Sequence, residues 1–250
     1  MPDGIAGTIS GSYMNISPSG GGGGTNLWGV DAAGAFGLGD FPALGAEVNG
    51  GYHNISLTGV SSNLWNVGGS AFWAGFPGRA GATVSYLSGS SSGGGITVNA
   101  NITNYGAFLE YYFSDVLTAG VKAGGLTVSG SAAGGGFGGS GTGSGSYVGG
   151  GLIGYVVPDL ALSGHILYKS AGGGGNATNY FVGAEYLVSE QLPVSVSAGY
   201  MNTQASGGGS ANTWLLTLTF YTSGPGVPLR DEHRNGTLGW IGNSAVDNLF

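Results

Sequence analysis

The chain has 250 residues, a net charge of -7 and only 7% charged side chains, where soluble domains carry about 25%. So few charges exclude an ordinary water-facing surface, and the acidic balance excludes nucleic-acid binding, which needs basic patches. Thirteen Tyr, ten Phe and five Trp argue against disorder, the 57 Gly do not fall at every third place as collagen requires, and no Cys is present for a disulfide or thiolate site.

The N-terminus, Met1-Pro2-Asp3, lacks the basic region and apolar run of a secretory signal, so the chain reads as a mature form. No stretch approaches the roughly 18 to 20 apolar residues of a membrane helix. Positive mean hydropathy with a period of two leaves the other spanning solution, a closed barrel that pairs every backbone N–H and C=O.

One phrase recurs along the chain. TNLWGVDAAGAFGLGD starts at Thr25, SNLWNVGGSAFWAG at Ser62, TNYGAFLEYYFSD at Thr103, GSYVGGGLIGYVVPD at Gly145, TNYFVGAEYLVSE at Thr178 and ANTWLLTLTFYT at Ala211. Aligned on Asn26, Asn63, Asn104 and Asn179, the copies repeat at the spacing of a hairpin. Partner segments with a Tyr near their end lie between them, at Tyr13, Tyr52, Tyr86, Tyr168 and Tyr200. The partner around 117–131 has Leu126 in that place, with Gly124-Gly125 suggesting a bulge.

Twelve strands are expected, near 5–15, 26–38, 44–56, 63–75, 80–88, 102–113, 117–129, 146–157, 160–169, 179–188, 193–203 and 212–221. Their connections alternate. Compact turns with Asp, Glu or Pro (GDFPAL, FPGRA, FSDVL, VPDL, SEQLP) trade with Gly/Ser-rich loops at 17–24, 57–62, 89–101, 130–145, 170–177 and 204–211. Short periplasmic turns and longer outer loops are how outer-membrane barrels are built.

With these strands and connections, residues 4–222 resemble bacterial outer-membrane β-barrel proteins, in particular small porin-like proteins of the alphaproteobacterial type. The resemblance implies an all-β, closed, antiparallel up-and-down transmembrane barrel of about 12 strands in the outer membrane. It departs from the family pattern at the end of the chain, where WLLTLTFY closes the last strand and about 28 residues follow. Phe220 or Tyr221 is then the internal candidate for the closing aromatic, and Phe250 ends no alternating strand.

Registers set from the aromatics give an outward girdle of Trp28, Trp65, Tyr105, Tyr147, Tyr180 and Trp214 near the loop end, and Phe36, Trp73, Tyr111, Tyr155, Tyr186 and Phe220 near the turns. Eight positions separate Trp28 from Phe36, roughly 20 Å of height at about 3.3 Å per residue and a tilt near 40°, against an apolar band of ~25 Å. Every strand charge and His not used to set the register then falls inside: Asp31, Glu47, His53, Glu110, Lys122, His165, Lys169 and Glu185. The soluble alternatives, a β-sandwich or an aggregating Gly-rich repeat, do not require that segregation.

The remaining inner face is short and polar, which predicts a narrow wet lumen narrowed locally by Phe72, Phe108, Phe181 and Leu215. Glu110 and Lys122 are expected to meet as a bracing ion pair. Met14, His53, Leu87, Lys169 and Met201 are expected to form a solvated ring at the mouth. No catalytic pair, metal-ligand spacing or phosphate loop stands out, so no cofactor and no metal are expected. The chain divides into a barrel (1–222) and a C-terminal periplasmic tail or plug (223–250) that holds five of the seventeen formal charges.

The function expected is passive diffusion of small, weakly charged solutes, with outer-membrane lipid as surroundings. The alternative is a structural or adhesive barrel that self-assembles or binds a surface partner through its loops or tail.

Overall fold

The computed structural model describes residues 5–19, 23–39, 41–57, 60–134, 137–172, 175–189 and 191–242. Met1 and Phe250 lie outside these. Twelve strands run in chain order: β1 Ile5–Pro18, β2 Thr25–Leu38, β3 Phe41–Leu57, β4 Val60–Phe76, β5 Gly78–Gly93, β6 Ile96–Ser114, β7 Leu117–Gly134, β8 Phe137–Val157, β9 Leu160–Ala171, β10 Asn176–Ser189, β11 Leu192–Ala205 and β12 Ser210–Tyr221. Each pairs antiparallel with its sequence neighbours, and β1 closes on β12 through Thr8↔Tyr221 to Pro18↔Ala211. Closure leaves no unpaired edge, which is what a sheet surrounded by hydrocarbon requires.

Several expected Gly/Ser loops are strand. Most of 89–101 and 130–145 extends β5 to β8, so β8 reaches 21 residues while β9 and β12 have 12. Gly and Ser carry no alternation to read, and the ladder of the neighbouring strand holds them extended. The β5–β6 connection is then only Gly94-Gly95, both at positive φ (58° and 78°), as a two-residue hairpin turn demands.

The faces segregate as the alternation predicts. Outside, Trp28, Trp65, Trp73, Tyr105, Tyr111, Tyr180, Tyr186, Trp214 and Phe220 are exposed among Val and Leu, and Phe36 is half-buried on the same face.

Tyr147 and Tyr155 are corrections. They are 5% and 4% exposed and point inward, while Val148, Leu152 and Val156 face out. The run Gly149-Gly150-Gly151 puts glycine on both faces of β8, so the rings alone gave a register one residue off. Tyr147 fits inward because Gly106 and Gly124 leave room: a Cβ there would lie 2.3 and 2.7 Å from its hydroxyl. Gly124-Gly125 therefore makes no bulge, and the β6–β7 register runs unbroken through it.

The same ring-over-glycine arrangement recurs inside. His53 occupies the gap over Gly29, where a Cβ would be 1.9 Å from Nδ1, and Phe181 fills that of Gly183 and Gly199. The abundance of glycine is thus in part a packing device that lets large inward side chains lie flat on the neighbouring strand.

The Asn alignment also shifts by one. Asn26 and Asn63 face outward two residues before a Trp, whereas Asn104 and Asn179, directly before a Tyr, are buried inside.

Candidate functional site

After β12, Gly224 and Gly226 at positive φ turn the chain back into the barrel. Helix α1, Leu229–Asn235, and a 3-10 turn, Gly239–Gly242, follow. Seven residues are too few to hold a helix alone. Acidic Asp231 and Glu232 in the first turn and His233 and Arg234 in the last suit its dipole, and the wall supplies the rest.

Two apolar contacts seat this segment. Leu229 is buried among Tyr155, Ala161, Leu187 and Tyr221, and Leu238 and Ile241 are buried against Phe72 and Phe108. Gly120 makes the second seat possible, since a Cβ there would lie 2.4 Å from Ile241 Cδ1.

The predicted lumenal charges are the polar part of the seat. Glu47 accepts the Leu238 N–H at 2.5 Å, and Lys122 donates to the Trp240 carbonyl at 2.7 Å with its Nζ 5.2 Å from the indole centroid. Glu185 accepts from Tyr221 at 2.6 Å and from Ser195, and faces His233 Nε2 at 3.2 Å. His165 lies between two rings, stacked on Trp240 at 5.0 Å and 5° and on Phe181 at 4.7 Å and 19°.

Glu110 does not pair with Lys122 as expected. It pairs with Arg79, whose Nε and NH2 both lie 2.7 Å from Glu110 Oε2. The reason is register: Arg79 stands directly opposite Glu110 across β5–β6, while Lys122 stands opposite Phe108. The rest of the guanidinium reaches the tail, donating to the Gly236 and His233 carbonyls at 2.9 Å each.

Arg79, Tyr112, His233, Arg234 and Trp240 complete the site and escaped the reading of the lumen, as did Tyr221, which the sequence offered only as a closing aromatic. The Tyr112 hydroxyl lies 3.1 Å from Glu110 Oε2 and 2.9 Å from the Arg234 carbonyl, its one proton shared between them. Arg234 donates to the Ser114 and Leu117 carbonyls and lies 4.9 Å over the Tyr112 ring. A signal existed for Arg79: placed in a turn by its Pro-Gly neighbours, it shares the parity of the inward Thr83 and Ser85.

Asp31 and His53 form a separate pair higher in the wall, 3.1 Å apart. Lys169 lines a 430 Å³ cavity at the loop end with Ile102, Asn104, Leu126 and Asn176. The other members of the expected mouth ring, Met14, His53, Leu87 and Met201, are buried rather than solvated.

Beside the tail lie two cavities, about 300 Å³ and 200 Å³ in volume. Both are lined by Thr8, Ser10, Thr237 and Gly239, so they adjoin along the β12–β1 seam. Burial pushes the Glu232 carboxyl in α1 above the ordinary carboxylate range, opposed by its hydrogen bond from Ser223 and by His233. Among the described residues no group of three or more His, Asp or Glu is arranged to hold a metal ion.

A closed, twelve-stranded meander with rings and aliphatics outside and charges inside is the fold of bacterial outer-membrane β-barrels. The translocator domain of the autotransporter NalP from Neisseria meningitidis aligns over 87% of this chain and 88% of its own at TM-score 0.55 and 12% identity. An outer membrane channel from Pseudomonas putida F1 aligns over 88% and 96% at 0.54 and 12%, and the CymD monoaromatic hydrocarbon channel over 88% and 88% at 0.52 and 8%. No protein-family model and no curated protein matches the chain.

Proposed function

We propose that the chain is an outer-membrane channel of the small porin type for passive diffusion of small, weakly charged solutes, its lumen throttled by its own C-terminal segment. The observation that carries this is the space beside the tail: two adjoining cavities lined by Thr8, Ser10, Thr237 and Gly239, with Asp31 and Glu47 on one side and Glu185 on the other. A barrel serving only as an anchor has no need of a hydrated inner wall, whereas a pore does. Hydroxyls and sparse charges set a mild preference among solutes without any covalent chemistry. Similarity to a protein described as an outer membrane channel supports the reading at the level of fold.

The second reading, a structural or adhesive barrel, draws support from how thoroughly residues 229–242 fill the lumen. Conductance of the full chain in planar bilayers separates the two. The channel reading expects small steady steps in the wild type and larger or longer openings when Lys122→Met and Trp240→Ala loosen the tail. Silence in both wild type and loosened variants overturns it and leaves the anchor.

A further inference from the structure

Three hairpins repeat a cluster on the outside of the wall, one rung beyond the loop-side girdle. In β1–β2, Asn26 Oδ1 accepts from the Tyr13 hydroxyl at 2.9 Å and from Asn15 Nδ2 at 2.7 Å, with Trp28 opposite Tyr13. In β3–β4, Asn63 Oδ1 accepts from Tyr52 and Asn54 Nδ2, both at 2.8 Å, beside Trp65. In β11–β12, Asn212 Oδ1 accepts from Tyr200 at 2.7 Å and Asn202 Nδ2 at 2.8 Å, beside Trp214.

In each cluster the Asn Oδ1 takes both bonds. The Nδ2 groups of Asn26, Asn63 and Asn212 have no protein acceptor among the described residues, and Asn26 and Asn63 are exposed. These strands are contiguous around the barrel, in the order β11-β12-β1-β2-β3-β4, so the three clusters occupy one arc about two strand spacings, roughly 10 Å, apart. Among the described residues, the other six strands carry no such cluster.

At the membrane–water interface a headgroup with acceptors can replace water on these amides, and the Trp beside each offers a flat apolar face. The chemistry of that acceptor follows from charge. The outward face of these six strands, and the sequences 19–24, 58–59 and 206–209 that join them, contain no Lys or Arg. A phosphate-bearing headgroup would be met by cations, which this arc lacks. Uncharged hydroxyls on a ring satisfy both the amide and the indole.

We infer that the three Tyr-x-Asn/Asn-x-Trp clusters are sites for lipids with a neutral saccharide headgroup. The inference rests on membrane placement of the barrel and not on conduction, so its failure and that of the channel reading are distinguishable.

Native mass spectrometry of the full chain, released from detergent after equilibration with a neutral diglycosyl diacylglycerol or with phosphatidylglycerol of the same acyl chains, tests it. Up to three glycolipids should be retained, preferred about tenfold over phosphatidylglycerol, the worth of roughly one hydrogen bond per headgroup. Each single change, Asn26→Leu, Asn63→Leu or Asn212→Leu, should remove one bound lipid, and the triple change should erase the preference. Equal retention of the two lipids by the wild type overturns the inference whether or not the variants assemble. So do unchanged stoichiometry in the triple variant, binding of the free disaccharide in place of the lipid, or a dimer that covers the arc.

Discussion

Arg79 offers a way to measure how firmly the C-terminal segment is seated. Its pair with Glu110 lies wholly within the wall, on β5 and β6, and involves no residue of the segment. Only its two bonds to the Gly236 and His233 carbonyls belong to docking. Each is a charge-assisted bond from a guanidinium that is 3% exposed, worth about 1.5 kcal/mol at the lower end of such bonds, so removing both loosens the seat by about 3 kcal/mol.

The chain has no Cys, so a single Ile241→Cys reports docking through its maleimide labelling rate. Ile241 is buried when the segment is seated. Labelling in the Arg79→Met background should rise about 10²-fold over the Ile241→Cys parent. Glu110 would be left buried and unpaired, a penalty that falls on the barrel, so Arg79→Met with Glu110→Gln should restore wall stability but leave labelling fast. Unchanged labelling in Arg79→Met, or slow labelling recovered in the double variant, refutes the division between wall and docking contributions.

Acidification should tighten the seat. Glu232 has its carboxyl pushed up by burial, so the docked state binds a proton more readily than the free segment. The cost of its charge is present above the raised value and relieved as pH falls from there toward the ordinary 4.5. Labelling of the Ile241→Cys thiol, divided at each pH by the rate of a free thiol, should slow across that window, and Glu232→Gln should flatten the slope; a ratio that rises at lower pH contradicts the sign. Gly120→Val should crowd Ile241 and expel the segment at a cost of about 1 to 3 kcal/mol, seen as faster labelling of a Leu238→Cys thiol, which leaves Ile241 in place, with the barrel's thermal transition unmoved. Gly29→Ala should lower that transition and His53→Ala should rescue it, because all three atoms a Cβ would strike belong to His53. Gly106→Ala should not be rescued by Tyr147→Ala, because the Ala123 carbonyl also stands 2.4 Å away.

The strand number, the closure and the inside of the wall were legible wherever side chains alternate in polarity. Asp31, Glu47, Glu110, Lys122 and Glu185 all face inward although none set the register. Legibility failed where glycine removes the signal. Between Tyr147 and Tyr155 either face of β8 reads equally well, and the outcome depends on Gly106 and Gly124 on β6 and β7, which no local pattern reveals. The destination of residues 229–242 was hidden for another reason. Their contacts pair Arg79 with Gly236 and Glu47 with Leu238, partners 157 and 191 positions apart, joined through backbone groups that every residue possesses.

Rings laid over glycines have a consequence for how such a wall changes over generations. Moving a ring to the facing strand while a glycine takes its former place conserves the filled volume, but either exchange alone creates a clash or a void. Viable histories therefore proceed by matched swaps across a ladder, and each swap rewrites two letters while leaving the coordinates nearly still. Descendants reached along such routes would keep the cylinder and lose the spelling.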